Sequence, residues 1–209
     1  PEHVASGLRV ETSVVVEQIE RAASGVVAVG NRGNKWHAAG MIVTPPAPQT
    51  IQLLGRSEVR LASQVETMLT GTDYEACLAV MARLDIASGL SDGHLALSRG
   101  PIAWMADNQH KGVSAVPAVT IHSSPEFAAA NLEVDQESWV AQLVDAARPL
   151  FAASVVNASG HRWRYSQPRR TFDVGAVLAS SELPLVLAGE VFAGAMRMAG
   201  LVGNDAIPG

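Results

Sequence analysis

Eighteen glycines stand in this chain of 209 residues, and no two of them are two positions apart. That spacing is the strongest single constraint on the fold. A dinucleotide-binding βαβ unit needs Gly-x-Gly-x-x-Gly after its first strand, so that the turn is tight and the helix N-terminus reaches the pyrophosphate. The nearest approximation, Gly30-Asn31-Arg32-Gly33, falls in a predicted hairpin turn and opens no helix. The segment Leu183–Gly200, LPLVLAGEVFAGAMRMAG, reads as a short apolar strand that delivers a Gly/Ala-rich backbone to a ligand. Without a partner loop of the standard spacing, it is at best the second loop of such a site.

The rest of the chain alternates between two periods. Leu8–Arg21 is dominated by Val and Thr and predicts strands rather than a helix. GVVAV, a turn at Asn31–Asn34, a short strand around Trp36 and a buried strand AGMIVT complete a predicted β-meander. Pro45 and Pro46 suit a helix start, with Ile51 and Leu54 facing inward. SEVRLASQVETML predicts a second helix, with Val59, Leu61, Val65, Met68 and Leu69 on its apolar stripe. YEACLAVMARL, HLALS, GPIAWMADN and VPAVTIHSS read as strands, the middle two as a hairpin. DQESWVAQLVDAARPLF is the clearest helix: Asp135 caps it, Trp139, Val140, Leu143, Val144 and Ala147 form its apolar face, and Pro149 stops it. SVVNASGHRWRYSQP and LPLVLAG are the last two strands. The expected class is α/β, mixed α+β.

Composition removes several functions. A formal net charge of −5 argues against nucleic acid as a partner, because phosphate neutralisation needs a basic face. No apolar run approaches the roughly 20 residues of a membrane span, and no charged-then-apolar leader opens the chain. The single cysteine, Cys77, builds no intramolecular disulfide and reads as core filler, a usage that fits a reducing, cytoplasmic setting. The six histidines show no His-Glu-x-x-His spacing, so no metal is expected. GLSDG, Gly89–Gly93, imitates a nucleophile elbow, but a strand-like segment follows it where the elbow needs a helix. It is read as a plain loop, and no catalytic residue is assigned.

HRWRYSQPRR, His161–Arg170, interleaves basic and aromatic side chains. In a strand His161, Trp163 and Tyr165 share one face, and Arg162 and Arg164 the other. Three readings stay open: a structural strand with snorkelling arginines, a pocket wall where an aromatic stacks on a planar ligand, and single-strand stacking, which the acidic balance disfavours.

Taken in order, four segments resemble the C-terminal two-thirds of flavin-containing amine oxidase-like proteins, most closely the renalase branch. LRVETSVVVEQIER with GVVAV is similar to the family's hairpin, in which a Val-x-x-Ile step, here Val16 to Ile19, presents a valine backbone to the adenine of FAD. AGMIVTPPAPQTIQLL resembles its buried strand running into a Pro-rich turn at Pro45 and a helix. HRWRYSQP resembles the Arg-Trp-Arg-Tyr strand of bacterial renalase-like proteins. LPLVLAGEVFAGAMRMAG resembles the terminal strand with Gly-Asp and Arg-Val-Glu-Gly.

The resemblance implies a partial FAD-binding domain (residues 1–70 and 171–209) and an inserted antiparallel-sheet substrate domain (residues 71–170). It implies FAD as cofactor, with Val16, Pro45, Gly189, Glu190, Arg197, Met198 and Ala199 at the cofactor and His161, Trp163 and Tyr165 in the substrate pocket. The implied reaction is hydride transfer from a reduced nicotinamide-like (NAD(P)-type) or amine substrate to flavin, which oxygen then reoxidises. Two departures stand out: Glu190 replaces the family's Asp, and Ala199 its Glu. Because the chain opens on Pro1 and lacks the glycine fingerprint, it is expected to be incomplete and to hold FAD poorly by itself. The alternative expectation is a non-catalytic assembly module, in which Leu8–Val16 and Leu185–Ala188 expose sheet edges to a partner chain, a missing N-terminal segment or a second copy.

Overall fold

The computed structural model describes residues 5–192, which form two compact units. One is assembled from the chain up to Asp73 and from Arg170 onward; the other is Tyr74–Arg169.

In the first unit, β1 (Val16–Arg21), β2 (Val26–Gly30) and β3 (Lys35–Ala38) form an antiparallel meander. The turn between β2 and β3 uses Gly33 at φ +76°, a backbone that suits glycine. The strand expected from Leu8 begins only at Val16. Upstream of it the last ladder bond among the described residues runs from Asn31 N to Val15 O; Leu8 and Val10 are exposed. A β-rich composition without a neighbour to bond is not a strand.

β4 (Met41–Val43) does not extend the meander. It lies parallel to β11 (Leu185–Ala188), which β10 (Ala176–Leu178) flanks antiparallel on the other side. Two expectations are corrected here. AGMIVT is not a buried strand, because β4 is an edge with one packed side: Val43 is buried and Ile42 is 68% exposed. Nor is Leu185–Ala188 an edge, since it is the middle strand with both ladders filled.

α1 (Ala47–Arg56) starts behind Pro46 and buries Ala47, Thr50, Leu53 and Leu54, whereas Ile51 is half-buried at the side of that stripe. Ser57 follows it, donating to Leu53 O and accepting from Ile19 N at 2.8 Å. Glu58 at φ +53° interrupts the helical path. As a result α2 (Ser63–Thr70) starts later than the sequence predicts, leaving Val59 and Leu61 outside it, while Val65, Met68 and Leu69 are buried.

The second unit is one antiparallel sheet in the order β6-β7-β8-β5-β9, formed by β5 (Tyr74–Leu84), β6 (His94–Ala96), β7 (Ile102–Asp107), β8 (Ala118–Ser123) and β9 (Val155–Pro168). Helices cover one face. α3 (Pro125–Asn131), which the sequence did not suggest, is capped by Ser124 accepting from Phe127 N. α4 (Gln136–Ala147) is capped by Asp135 accepting from Ser138 N at 2.9 Å, and a 3₁₀ turn at Arg148–Leu150 follows.

The alternation of β5 decides which side is the core. Leu78, Val80, Ala82 and Leu84 point at Trp139, Leu143, Val144 and Ala147 of α4. Gly160 of β9 lies opposite Val80, under α4, where the indole of Trp139 occupies the space a side chain would fill. Among the described residues no helix is long and apolar enough to cross a membrane.

Candidate functional site

The parallel pair β4–β11 creates one kind of site in the first unit. Parallel neighbours end side by side, and ligands of α/β sheets gather at such carboxyl ends. Here the ends deliver Thr44-Pro45 and Gly189-Glu190 next to each other. Gly189 has φ +129°, and a Cβ built on it would sit 3.0 Å from the Thr44 carbonyl oxygen. Glycine is therefore required twice, for conformation and for space. Pro45 is exposed, and its carbonyl accepts from Thr50 Oγ1 at 2.9 Å, which ties the turn to α1. Glu190 opens a 3₁₀ turn, Glu190–Phe192, and is half-buried.

Val16 belongs to the other sheet of this unit. It lies opposite Gly30 at the start of β1, where the ladder slips between Val16 and Gln18. Arg197, Met198 and Ala199 lie outside the described residues. A separate polar cavity of about 300 Å³ is lined by Gln18–Arg21, Ser57–Arg60, Ser180, Glu182 and Leu183; none of the sequence-predicted site residues lines it.

The second unit presents another surface. Directly opposed residues share a sheet face, and the ladder places Trp104 opposite His122, His122 opposite Ala79, and Ala79 opposite His161. This row lies on the side that the helices leave open. The rings of Trp104 and His122 are 5.2 Å apart, and those of His161 and Trp163 are 4.4 Å apart and edge-on. Between the two pairs lies Ala79, which is itself buried. Lys111 Nζ lies 5.7 Å from the centre of the Trp104 ring. Burial holds the His122 imidazole below its ordinary value, and the neighbouring Lys111 charge adds to that effect; His122 is thus neutral at pH 7.

Of the predicted trio, His161 and Trp163 are adjacent, and Trp163 is 52% exposed. Tyr165 stands apart. Between Trp163 and Gln167 the register of β9 against β5 slips, which interrupts the alternation of faces. The Tyr165 ring instead meets Tyr74 edge-on at 5.6 Å. The two arginines are bonded rather than simply solvated: Arg162 Nη2 donates to Val134 O at 2.8 Å, and Arg164 donates to the Glu133 carboxylate. That bond holds Glu133 below the usual carboxylate range. Cys77, opposite Trp163, is half-buried, and burial raises its thiol pKa.

Sequence reasoning missed Trp104, Lys111, His122 and Thr44. The first and third were legible only as alternate positions on strands, and nothing local tied them to His161. GLSDG is a loop, with Gly89 and Gly93 both at positive φ. Among the described residues no group of three or more His, Cys, Asp or Glu could hold a metal ion.

No model of a known protein family matches the chain, and no curated protein matches it. Solved structures do share its fold. Wild-type putrescine oxidase bound to putrescine superposes with a TM-score of 0.60 at 17% identity, over 94% of this chain and 49% of that one. Cyclohexylamine oxidase from Brevibacterium oxydans IH-35A gives 0.60 at 13% identity, over 88% and 44%. An oxidoreductase from Methanosarcina mazei gives 0.58 at 15% identity, over 90% and 46%. The chain spans less than half the length of these structures. It has the mixed α/β fold of part of a flavin amine oxidase.

Proposed function

We propose that the chain is the substrate-binding and closing portion of an FAD-dependent oxidoreductase of the renalase and amine oxidase type. Its reaction would be hydride transfer from a reduced nicotinamide-like or amine substrate to flavin, with oxygen as the final acceptor. The observation that carries this reading is Gly189, held at φ +129° against the Thr44 carbonyl at the end of a parallel strand pair. The glycine lets the two strand ends close on each other, and the carboxyl ends of parallel strands are where ligands of α/β sheets gather, which fits a dinucleotide cofactor.

FAD, when bound, supplies the electron-accepting chemistry. The chain's own residues then bind and orient. Gly189 and Pro45 present backbone, Glu190 offers a carboxylate to cofactor hydroxyls, and Val16 offers its backbone to the adenine. Arg197, Met198 and Ala199 take their cofactor role from the resemblance alone. His161 and Trp163 present rings to a planar substrate, and Tyr165, which meets Tyr74 instead, takes its substrate role from the resemblance alone. No side chain is assigned as a general acid or base.

Titrating the purified chain with FAD tests the reading by quenching of flavin fluorescence. Weak, saturable quenching is expected, with little FAD retained through purification, because the chain has no Gly-x-Gly-x-x-Gly. Gly189→Ala weakens it further. Quenching that is absent, or indifferent to Gly189→Ala, sinks the proposal. A chain purified with stoichiometric flavin overturns the view that it holds FAD poorly by itself.

A second reading, a non-catalytic assembly module, is favoured by β9. Among the described residues this 14-residue strand ends the sheet order and pairs with β5 alone, and an open strand edge accepts another strand. A chain that stays monomeric by light scattering across a wide concentration range removes this reading.

A further inference from the structure

The open face of the five-stranded sheet has an uneven charge. His94, His122, His161 and Arg83 occupy its rows, and Lys111 reaches over Trp104 from the turn after β7. By strand alternation the carboxylate that the described strand residues place on this side is Glu75. It sits at the opposite end of β5 from Arg83, four residues from the Ala79 row, and Arg169 lies 3.9 Å from it. Asp107, which ends β7, has the opposite alternation and is buried against Ser88. Next to the Trp104–His122 pair there is thus an ammonium, and among the described strand residues of this face no acid lies in the neighbouring rows.

We infer that Lys111, held over Trp104 and beside His122, acts as a charge filter for this face: it admits planar aromatic anions and turns away alkylammonium ions. The ring of such a ligand lies against the rings of the Trp104–His122 and His161–Trp163 pairs, which flank the buried Ala79, and its anionic group meets Lys111. A protonated amine in the same place meets an uncompensated positive charge. The inference rests on the proposed oxidoreductase reading only for the reaction that follows binding. It decides between that reading's two substrate classes in favour of the anionic, planar one.

Two probes with one ring system and opposite charges test it: 2-naphthoate and 2-naphthylmethylamine, titrated calorimetrically into the full chain at low ionic strength. Attraction of one and repulsion of the other by a single near-surface charge predicts about tenfold tighter binding of the carboxylate, shrinking as salt is added. Lys111→Gln narrows the difference, and Lys111→Glu reverses the order. Lys111 is exposed in a turn, so both variants keep the fold, which circular dichroism verifies. Equal affinities, tighter binding of the amine, binding of neither probe, or an order unchanged in Lys111→Glu would each overturn the inference. The FAD titration is a separate readout, so failure of the flavin reading and failure of the filter are distinguishable.

Discussion

Gly160→Ala is the sharpest test of how the second unit is packed. Gly160 lies in β9 opposite Val80, beneath α4. A Cβ there would come within 2.6 Å of Val140 Cγ2 and 2.9 Å of Trp139 Cζ3, and closer still to Trp139 Cη2. Both neighbours belong to a helix whose Trp139 is fully buried, so the indole has no solvent-side rotamer to move into. Overpacking of this kind costs about 1–3 kcal/mol. Alanine restricts the unfolded chain more than glycine, which returns about 0.5–1 kcal/mol. The net expectation is a loss of about 1–2 kcal/mol, or roughly 2–8 °C in Tm for a chain of this size. Urea unfolding followed by circular dichroism measures it. The cause is checked by the cycle with Trp139→Phe, which removes the indole atoms in conflict and leaves the Val140 contact in place. Gly160→Ala should cost less in that background, with a coupling of about 0.5–2 kcal/mol. A single variant as stable as the parent, or a cycle without coupling, would refute the claim that α4 seats directly on the glycine.

Three further predictions follow from the same geometry. Gly189→Ala forces a side chain into a backbone region that only glycine adopts freely and against Thr44 O; chemical denaturation should show a loss of about 1–3 kcal/mol, and an unchanged midpoint would contradict the described turn. His122 is held below its ordinary 6.5 by burial and then by Lys111. Unfolding therefore takes up a proton as pH drops below 6.5, so this contribution to stability is full above 6.5 and fades as pH falls towards the folded value. His122→Gln should flatten the stability profile between about pH 7.5 and 5.5; parallel profiles would dismiss the effect. Burial pushes Asp107 up, but hydrogen bonds from Ser88 and from the backbone N–H groups of His110 and Gln109 outweigh it and leave the carboxyl below 3.8. Its contribution is present above 3.8 and lost as pH falls through the folded value. Asp107→Ala should cost about 2–3 kcal/mol at neutral pH by leaving those donors unpaired, and a cost near zero would mean that water replaces the carboxylate.

Elements whose stability is local were legible in the sequence. α4 announced itself through Asp135, an apolar stripe and Pro149, and the structure places its cap bond and buried face there. YEACLAVMARL is β5 from end to end, because alternate residues of one strand face one core. What failed depended on neighbours. Leu8–Val14 has the composition of a strand but no ladder partner among the described residues, and Ile42 lies on the unpacked side of an edge strand. β10 and α3 are short, and what holds β10 is pairing with β11, which lies several residues away.

The candidate sites divide in the same way. Gly189 and the His161–Trp163 pair were found in the sequence, since a Gly after an apolar strand and alternating aromatics are local signals. Their surroundings were not. That β11 runs parallel to β4 and so sets Gly189 against Thr44 depends on segments more than 140 residues apart. That His122 and His161 flank the same alanine depends on the order β8-β5-β9. The sequence by itself determined the class of the fold, the absence of a standard phosphate loop in this chain, and which short segments present backbone or rings. Tertiary structure alone decided strand order and register. Local propensity says that a residue is extended, but only the neighbouring strand's hydrogen bonds and the packed face say beside what it lies.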